Sequence, residues 1–161
     1  MLRSARPDDI EAVHAIYMHA SVIPWLAHDP MDLDAFRAVF AKLLAAGNFV
    51  VEERDGAVAG FYRIARHEGR ASHVAELGTF AIHPDWQGRG LAREMIAEAA
   101  EILKAAGVIR LQLLVEPENT RAIAFYTRMG FHQESIQRRA YRRSGEPSEI
   151  DDIVMVRFLD A

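Results

Sequence analysis

The feature that most limits what this chain can become is a change of hydrophobic period near its middle. His73 to Ile82 reads as a strand, Leu91 to Ala106 as an amphipathic helix, and Val108 to Val115 as a buried strand. Leu91, Met95, Ala99, Ile102 and Ala106 recur at helical spacing, with Ile96 and Leu103 beside them. Arg93, Glu94, Glu98, Glu101 and Lys104 fall on the opposite side, and Gly107 supplies a stop. Strand, helix and strand within about 40 residues imply a right-handed parallel crossover. The sheet must therefore contain a parallel step with a helix on its face.

The elements around this unit are of a different kind. Leu2 to Arg6 is a short strand candidate, and Pro7-Asp8-Asp9 opens a helix with Ile10, Val13, Ile16, Tyr17 and Ala20 on its apolar side. After Pro24 and Pro30, Asp32 starts a second helix bearing Leu33, Phe36, Phe40, Leu43 and Leu44, with Gly47 as its stop. Phe49 to Arg54 and Ala57 to Arg66 flank Asp55-Gly56, a strong hairpin signal. With the strand from His73 they predict an antiparallel meander. Asn119 to Met129 is a last helix ended by Gly130. Phe131 to Ala140 and Ile153 to Phe158 predict a hairpin around Gly145. The expected fold is α/β (α+β): one domain, residues 1–161, with a mixed, mostly antiparallel sheet of about seven strands and helices on both faces.

Composition removes several function classes. A formal net charge of -4 gives no global pull toward nucleic acid or anionic membrane. The absence of cysteine excludes disulfides, thiolate metal sites and a cysteine acyl-enzyme, and it fits a reducing compartment. Arg3 and Arg6 are followed by no apolar run of the kind a secretory signal needs. The uncharged stretch from Ala12 to His28 carries three histidines and Pro24 and falls short of a membrane helix. The expected location is cytoplasmic. The seven histidines form no metal pattern: His-Glu-x-x-His is absent and Glu11-x-x-His14 occurs once, so no metal is expected. Gln137 to Arg143 is rich in arginine, but the overall charge opposes nucleic acid, and the run reads as a solvated strand end.

The turn that feeds the crossover helix, His83-Pro84-Asp85-Trp86-Gln87-Gly88-Arg89-Gly90-Leu91-Ala92, carries the chemistry. Backbone amides and the helix dipole favour an anion there. A dinucleotide fingerprint would need a third glycine where Arg93 stands, and a tight turn where His83 to Gln87 intervene. A P-loop would need Gly-Lys-Ser/Thr, which is absent. Gln87-Gly88-Arg89-Gly90-Leu91-Ala92 resembles the (Gln/Arg)-x-x-Gly-x-(Gly/Ala) motif of the GNAT superfamily of acyl-CoA-dependent N-acyltransferases. Leu77 to Pro84 looks like that family's fourth strand. Asn119-Thr120-Arg121-Ala122-Ile123-Ala124-Phe125-Tyr126, with Gly130-Phe131 following, looks like its Asn-x-x-Ala-x-x-Phe-Tyr helix. The order of predicted elements matches the family over nearly the whole chain.

The resemblance implies acetyl-CoA as co-substrate. It assigns the pyrophosphate to the backbone of Gln87, Gly88, Arg89, Gly90, Leu91 and Ala92. The pantetheine arm falls to the strand edge at Phe80, Ala81 and Ile82, where two parallel strands splay apart. Asn119 and Ala122 would meet the cofactor, and Tyr126 would meet it and protonate the departing thiolate. Asn119 and Tyr126 lie seven residues apart, two helical turns, so both share one face with the small Ala122 between them. With no cysteine and no Gly-x-Ser-x-Gly, direct attack in a ternary complex is the expected route. Glu76 is the candidate base. Period-two alternation puts it on a face with Gly78, Phe80 and Ile82, where an apolar setting would raise its pKa. A bulge would reset that register, and many relatives use an ordered water instead.

The acceptor side is less constrained. Ser21 to His28 is apolar and aromatic for a loop, and the family's corresponding region borders the acceptor pocket. Trp25, His28, Tyr62 and Tyr141 are the candidates to line it, with core packing as the competing role. The segment from His73 to Gly78 and the tail look similar to bacterial amino-acid N-acetyltransferases, which points to a small amine or amino acid. A protein or peptide N-acetyltransferase and a non-catalytic acyl-CoA-binding module stay open. Membrane and nucleic-acid partners are not expected, and the family's frequent dimerisation leaves a homodimer open.

Overall fold

The computed structural model describes residues 1–160. It contains seven strands: β1 (Leu2–Ser4), β2 (Phe49–Arg54), β3 (Ala57–Arg66), β4 (Val74–Ile82), β5 (Arg110–Val115), β6 (His132–Tyr141) and β7 (Ile150–Phe158). The four α-helices are α1 (Ile10–Tyr17), α2 (Leu33–Ala45), α3 (Leu91–Ala105) and α4 (Thr120–Arg128). Hydrogen bonding links the strands in the order β1-β2-β3-β4-β5-β7-β6. β4 and β5 are parallel, whereas β1–β2, β2–β3, β5–β7 and β6–β7 are antiparallel. The mixed, mostly antiparallel sheet expected from the sequence is what the chain forms. No helix among the described residues is long and apolar enough to cross a membrane.

The chain packs as two compact units, residues 1–64 with 79–95, and residues 65–78 with 96–160. In the first, α1 and α2 cover the β2–β3 hairpin. Tyr17 from α1 stacks on Phe61 of β3 at 5.9 Å between ring centroids, and Phe49 meets Phe61 at 5.3 Å. Phe36 and Phe40 of α2 complete an aromatic core with Val13, Ile16 and Val51. Such rings bury large apolar areas and add about 0.5–1.5 kcal/mol per well-oriented pair. At the start of this unit Arg3 holds Asp9 through two bonds of 2.8 Å and Glu53 through one of 2.8 Å. In the second unit β5 lies between β4 and β7, with Leu111, Leu113 and Val115 buried on one side.

Several boundaries differ from the sequence reading, each for a local reason. α1 ends at Tyr17, and Ala20 is exposed, because the His19 ring takes the Ser21 amide (3.2 Å) and hydroxyl (2.9 Å). That side-chain bonding competes with helix continuation. In α3, Ile102 is exposed while Ala100 and Leu103 are buried, because a 3.6-residue period carries the apolar stripe off a strict fourth-residue count. β7 begins at Ile150, since the Asp151 carboxylate accepts from Arg138 and from the Arg139 amide, both at 2.8 Å. The acidic run therefore joins the sheet.

Candidate functional site

The turn before α3 is shaped to present its amides. Pro84–Trp86 forms a single 3-10 turn, and Gln87 is extended with its side-chain amide donating to the Ile82 carbonyl at 3.2 Å. Gly88 and Gly90 take φ of +73° and +85°, the left-handed region that other residues enter at a cost of about 1–2 kcal/mol. A Cβ at either position would meet nothing within 4 Å, so their positive φ, not crowding, calls for glycine. The first intrahelical bond is Glu94 N to Gly90 O at 3.1 Å. Among the described residues, the amides of Gly88 through Arg93 donate to no protein acceptor. Consecutive free donors at the start of a fifteen-residue helix make a strong anion-binding feature. Arg89 is exposed, with its guanidinium over the Trp86 ring at 5.4 Å.

Upstream, β4 is kinked. Thr79 sits at φ +51°, unusual for a β-branched residue and costing roughly 1–3 kcal/mol. The kink resets the alternation: Ala75 and Leu77 are buried, Gly78 to Phe80 are half-buried, and Ala81 and Ile82 are both buried. Glu76 thus does not share a continuous face with Phe80 and Ile82, which corrects the period-two reading. The parallel register pairs Val74–Leu77 with Arg110–Leu113 and stops, although β4 runs on to Ile82 and β5 to Val115. Glu76 stands opposite Gln112, whose side-chain amide donates to its carboxylate at 3.2 Å. Gln112 gives Glu76 a polar neighbour where the sequence reading expected an apolar one. The Glu76 face is polar because the parallel partner strand contributes Gln112 and, two residues earlier, Arg110.

The helix with the second motif is fixed at both ends by its own sequence. Asn119 accepts the Ala122 amide at 3.1 Å through its side chain, a helix N-cap. At the other end, Gly130 at φ +87° lets the Phe131 amide reach the Tyr126 carbonyl and the Gly130 amide reach Thr127, both at 3.0 Å. This is a Schellman ending, and its usual apolar contact is present as Tyr126 against Phe131, ring centroids 5.7 Å apart. The Tyr…Gly-Phe spacing therefore fixes where the tyrosine ring stands. Tyr126 is 9% exposed, and burial pushes its phenol above the ordinary tyrosine range. It holds its proton throughout neutral and mildly basic pH. Ala122 is half-buried on the same helix.

The acceptor candidates fall into different environments. Trp25 is 43% exposed in a 3-10 turn, and His28 is exposed with its ring 6.2 Å from Tyr17. Tyr62 is buried on β3. Tyr141, at the end of β6, is half-buried and donates its hydroxyl to Glu116. Burial, followed by that hydrogen bond, raises its phenol above the ordinary range. The sequence reading did not single out the group around Tyr141. Glu116 is 7% and Asp152 8% exposed. Arg143 pairs with Glu116 at 2.5 Å and lies over the Tyr141 ring at 5.7 Å. The only local signal was Glu116 directly after a buried strand. Among the described residues no group of three or more histidine, cysteine or acidic side chains is placed to hold a metal ion.

The chain is similar in sequence and fold to known acetyltransferases. The model of the Acetyltransferase (GNAT) family matches residues 10–131. The N-alpha-acetyltransferase RimI of Mycobacterium tuberculosis (strain ATCC 25618 / H37Rv) is 31% identical over 110 residues, covering 67% of this chain and 68% of that protein. The crystal structure of the ribosomal-protein-S18-alanine N-acetyltransferase from Escherichia coli superposes with a TM-score of 0.76 at 25% identity, over 99% of this chain and 93% of that one. The YncA protein of Salmonella typhimurium, solved with its cofactor acetyl-CoA, shares the fold at a TM-score of 0.75 and 22% identity, over 100% of this chain and 94% of that one.

Proposed function

We propose that this chain, which belongs to the Acetyltransferase (GNAT) family, moves the acetyl group of acetyl-CoA directly onto a primary amine of a small molecule in a ternary complex. The observation that carries the donor half is the row of free amides from Gly88 to Arg93 at the head of α3. A pyrophosphate is a doubly charged group with many acceptor oxygens, and such a row satisfies it without a metal. On this reading Gln87 through Ala92 hold the pyrophosphate, and the edge at Phe80, Ala81 and Ile82 takes the pantetheine amides. Asn119 and Ala122 border the thioester end.

The chemistry follows from what the two candidate catalytic groups can carry. A neutral amine nitrogen attacks the thioester carbonyl; the N–C bond forms and the C–S bond breaks. The amine's surplus proton passes to the Glu76 carboxylate, directly or through a water. The Tyr126 hydroxyl gives its proton to the coenzyme thiolate. Raised by burial, the Tyr126 phenol stays protonated at the pH where amines become nucleophilic, which is the state an acid must be in. Glu76 is half-buried and has an amide donor in Gln112, so it is held in one orientation as a base must be.

A second reading has a specific observation behind it: the relative at 31% identity is named an N-alpha-acetyltransferase, and the crystal structure at 25% identity is of a ribosomal-protein-S18-alanine N-acetyltransferase. Release of free thiol from acetyl-CoA, with amino acids, diamines, aminoglycosides and peptides as acceptors, separates the two. Turnover with small amines and none with peptides is expected. Turnover confined to peptides replaces the small-molecule reading. Tight coenzyme binding without turnover on any acceptor overturns both.

A further inference from the structure

One carboxylate in the second unit stands in an environment that the acetyl-transfer roles do not explain. β5 and β7 pair antiparallel up to Val115 and Ile153, and the next residue on each side is acidic, Glu116 and Asp152. Like charges directly across a ladder repel, yet both side chains are more than nine-tenths buried, at 7% and 8% exposure. Glu116 is satisfied: Arg143 donates to it at 2.5 Å and the Tyr141 hydroxyl donates to it as well. Asp152 is not. Among the described residues it has no cation and no hydrogen-bond donor, and it faces Glu116 and Tyr141. Burial, then the Glu116 charge, holds its carboxyl above the usual carboxylate range, while the neighbouring Arg143 is engaged by Glu116 and Tyr141.

The strip leading to this carboxylate says what kind of cation fits. Gln112 and Leu114 lie on one face of β5 by strand alternation, and Glu116 continues that line. Gln112 holds Glu76, the candidate base, at 3.2 Å. Leu114, next on the strip, is a large apolar side chain left 40% exposed. Polar base, bare aliphatic surface, and buried uncompensated acid follow one another along about 13 Å of strand, four residues at the usual rise. From this we infer that the acceptor is an aliphatic diamine. One amine is acetylated beside Glu76, the methylene chain lies on Leu114, and the second ammonium docks on Asp152 beside Tyr141. An ammonium brings three donors, two of which the Asp152 oxygens can receive while the third meets water; the Tyr141 oxygen already accepts from Arg143 at 3.4 Å. Two carboxylates alone make a poor metal site, and an organic cation uses the apolar strip as a metal ion would not. This inference rests on the acetyltransferase reading above.

The test compares acceptors that differ only at the far end: 1,8-diaminooctane against octylamine, with wild type, Asp152→Asn and Asp152→Glu, and thermal unfolding recorded for each. Wild type should prefer the diamine by at least tenfold in kcat/KM. Asp152→Asn should bring the ratio to within twofold of one and raise Tm, because it removes a buried charge. Asp152→Glu should keep the preference. Equal rates for the two amines in wild type, or a preference that survives Asp152→Asn, overturn the diamine site while leaving acetyl transfer standing. Turnover with other acceptors but neither of these amines overturns it too. Absence of turnover with every acceptor is instead a failure of the reading on which it rests. The wild-type comparison decides the matter even if Asp152→Asn does not fold.

Discussion

Replacing Tyr126 by phenylalanine tests the mechanism at one atom, because the structure separates what holds the ring from what the hydroxyl does. The ring is held by its contact with Phe131 and by the Schellman ending. There the Phe131 amide bonds to the Tyr126 carbonyl at 3.0 Å, and neither feature involves the phenol. Phenylalanine keeps both and loses only a hydroxyl from a side chain that is 9% exposed. The stability change should therefore stay within about 1 kcal/mol, the net worth of one hydrogen-bonding group. The catalytic change should be larger. Loss of a positioned general acid lowers turnover by roughly 10²–10⁴-fold, or about 2.7–5.4 kcal/mol of barrier. Steady-state kinetics with a saturating amine should show that fall in kcat, with KM for acetyl-CoA unchanged within about twofold. Because burial raises the phenol's pKa, the wild-type kcat should show no loss from tyrosine ionisation as pH rises to about 10. A Tyr126→Phe enzyme with kcat within twofold of wild type refutes the assignment. A basic limb below pH 9 that disappears in the variant refutes the protonation argument.

The first unit supplies two further tests. In Gly60→Ala the new Cβ would lie 2.9 Å from the Ala81 carbonyl oxygen and from Ile82 Cδ1, and backbone cannot yield as a side-chain end can. Overpacking of about 1–3 kcal/mol should lower Tm by about 3–10 °C in differential scanning calorimetry and raise KM for acetyl-CoA, since the displaced residues are the proposed arm edge. For Asp9, hydrogen bonds from the Arg3 guanidinium, then the Arg6 amide, hold the carboxyl below the usual carboxylate range against desolvation. A lowered folded pKa contributes stability that is present above the unfolded value of about 3.9 and is lost as pH falls through the folded one. Asp9→Asn should thus unfold below wild type at pH 7, by about 2 kcal/mol in urea melts, with the gap closing below about pH 4.

What was legible in the sequence is what the chain encodes within a dozen residues. The turn from Gln87 to Ala92 carries its own glycines at positive φ, and the α4 helix carries its own cap at Asn119 and its own stop at Gly130. Such features need no distant partner, so a contiguous pattern reveals them. The kink in β4 was invisible for the opposite reason. Thr79 is a strong strand former by propensity, and only its surroundings in the fold force it to φ +51°. Alternation read across that point, which put Glu76 on one face with Phe80 and Ile82, fails there.

The acidic group at Asp152 shows the same division more sharply. In sequence, Glu149 to Asp152 is a charged run with isoleucine inside it, lying between the two strands predicted for the last hairpin. In the fold, register with Gln137 and the approach of Glu116 bury Asp152. A residue chosen for stability at that position would look like Val154 and Val156, which follow it on the same face of β7 and are 7% and 0% exposed. A buried acid there breaks the agreement between burial and polarity that the rest of the strand obeys. In natural proteins such breaks concentrate where a ligand completes the site. The proposed donor site is thus written in local motifs, whereas Asp152 is buried by cross-strand register, which no contiguous pattern reveals.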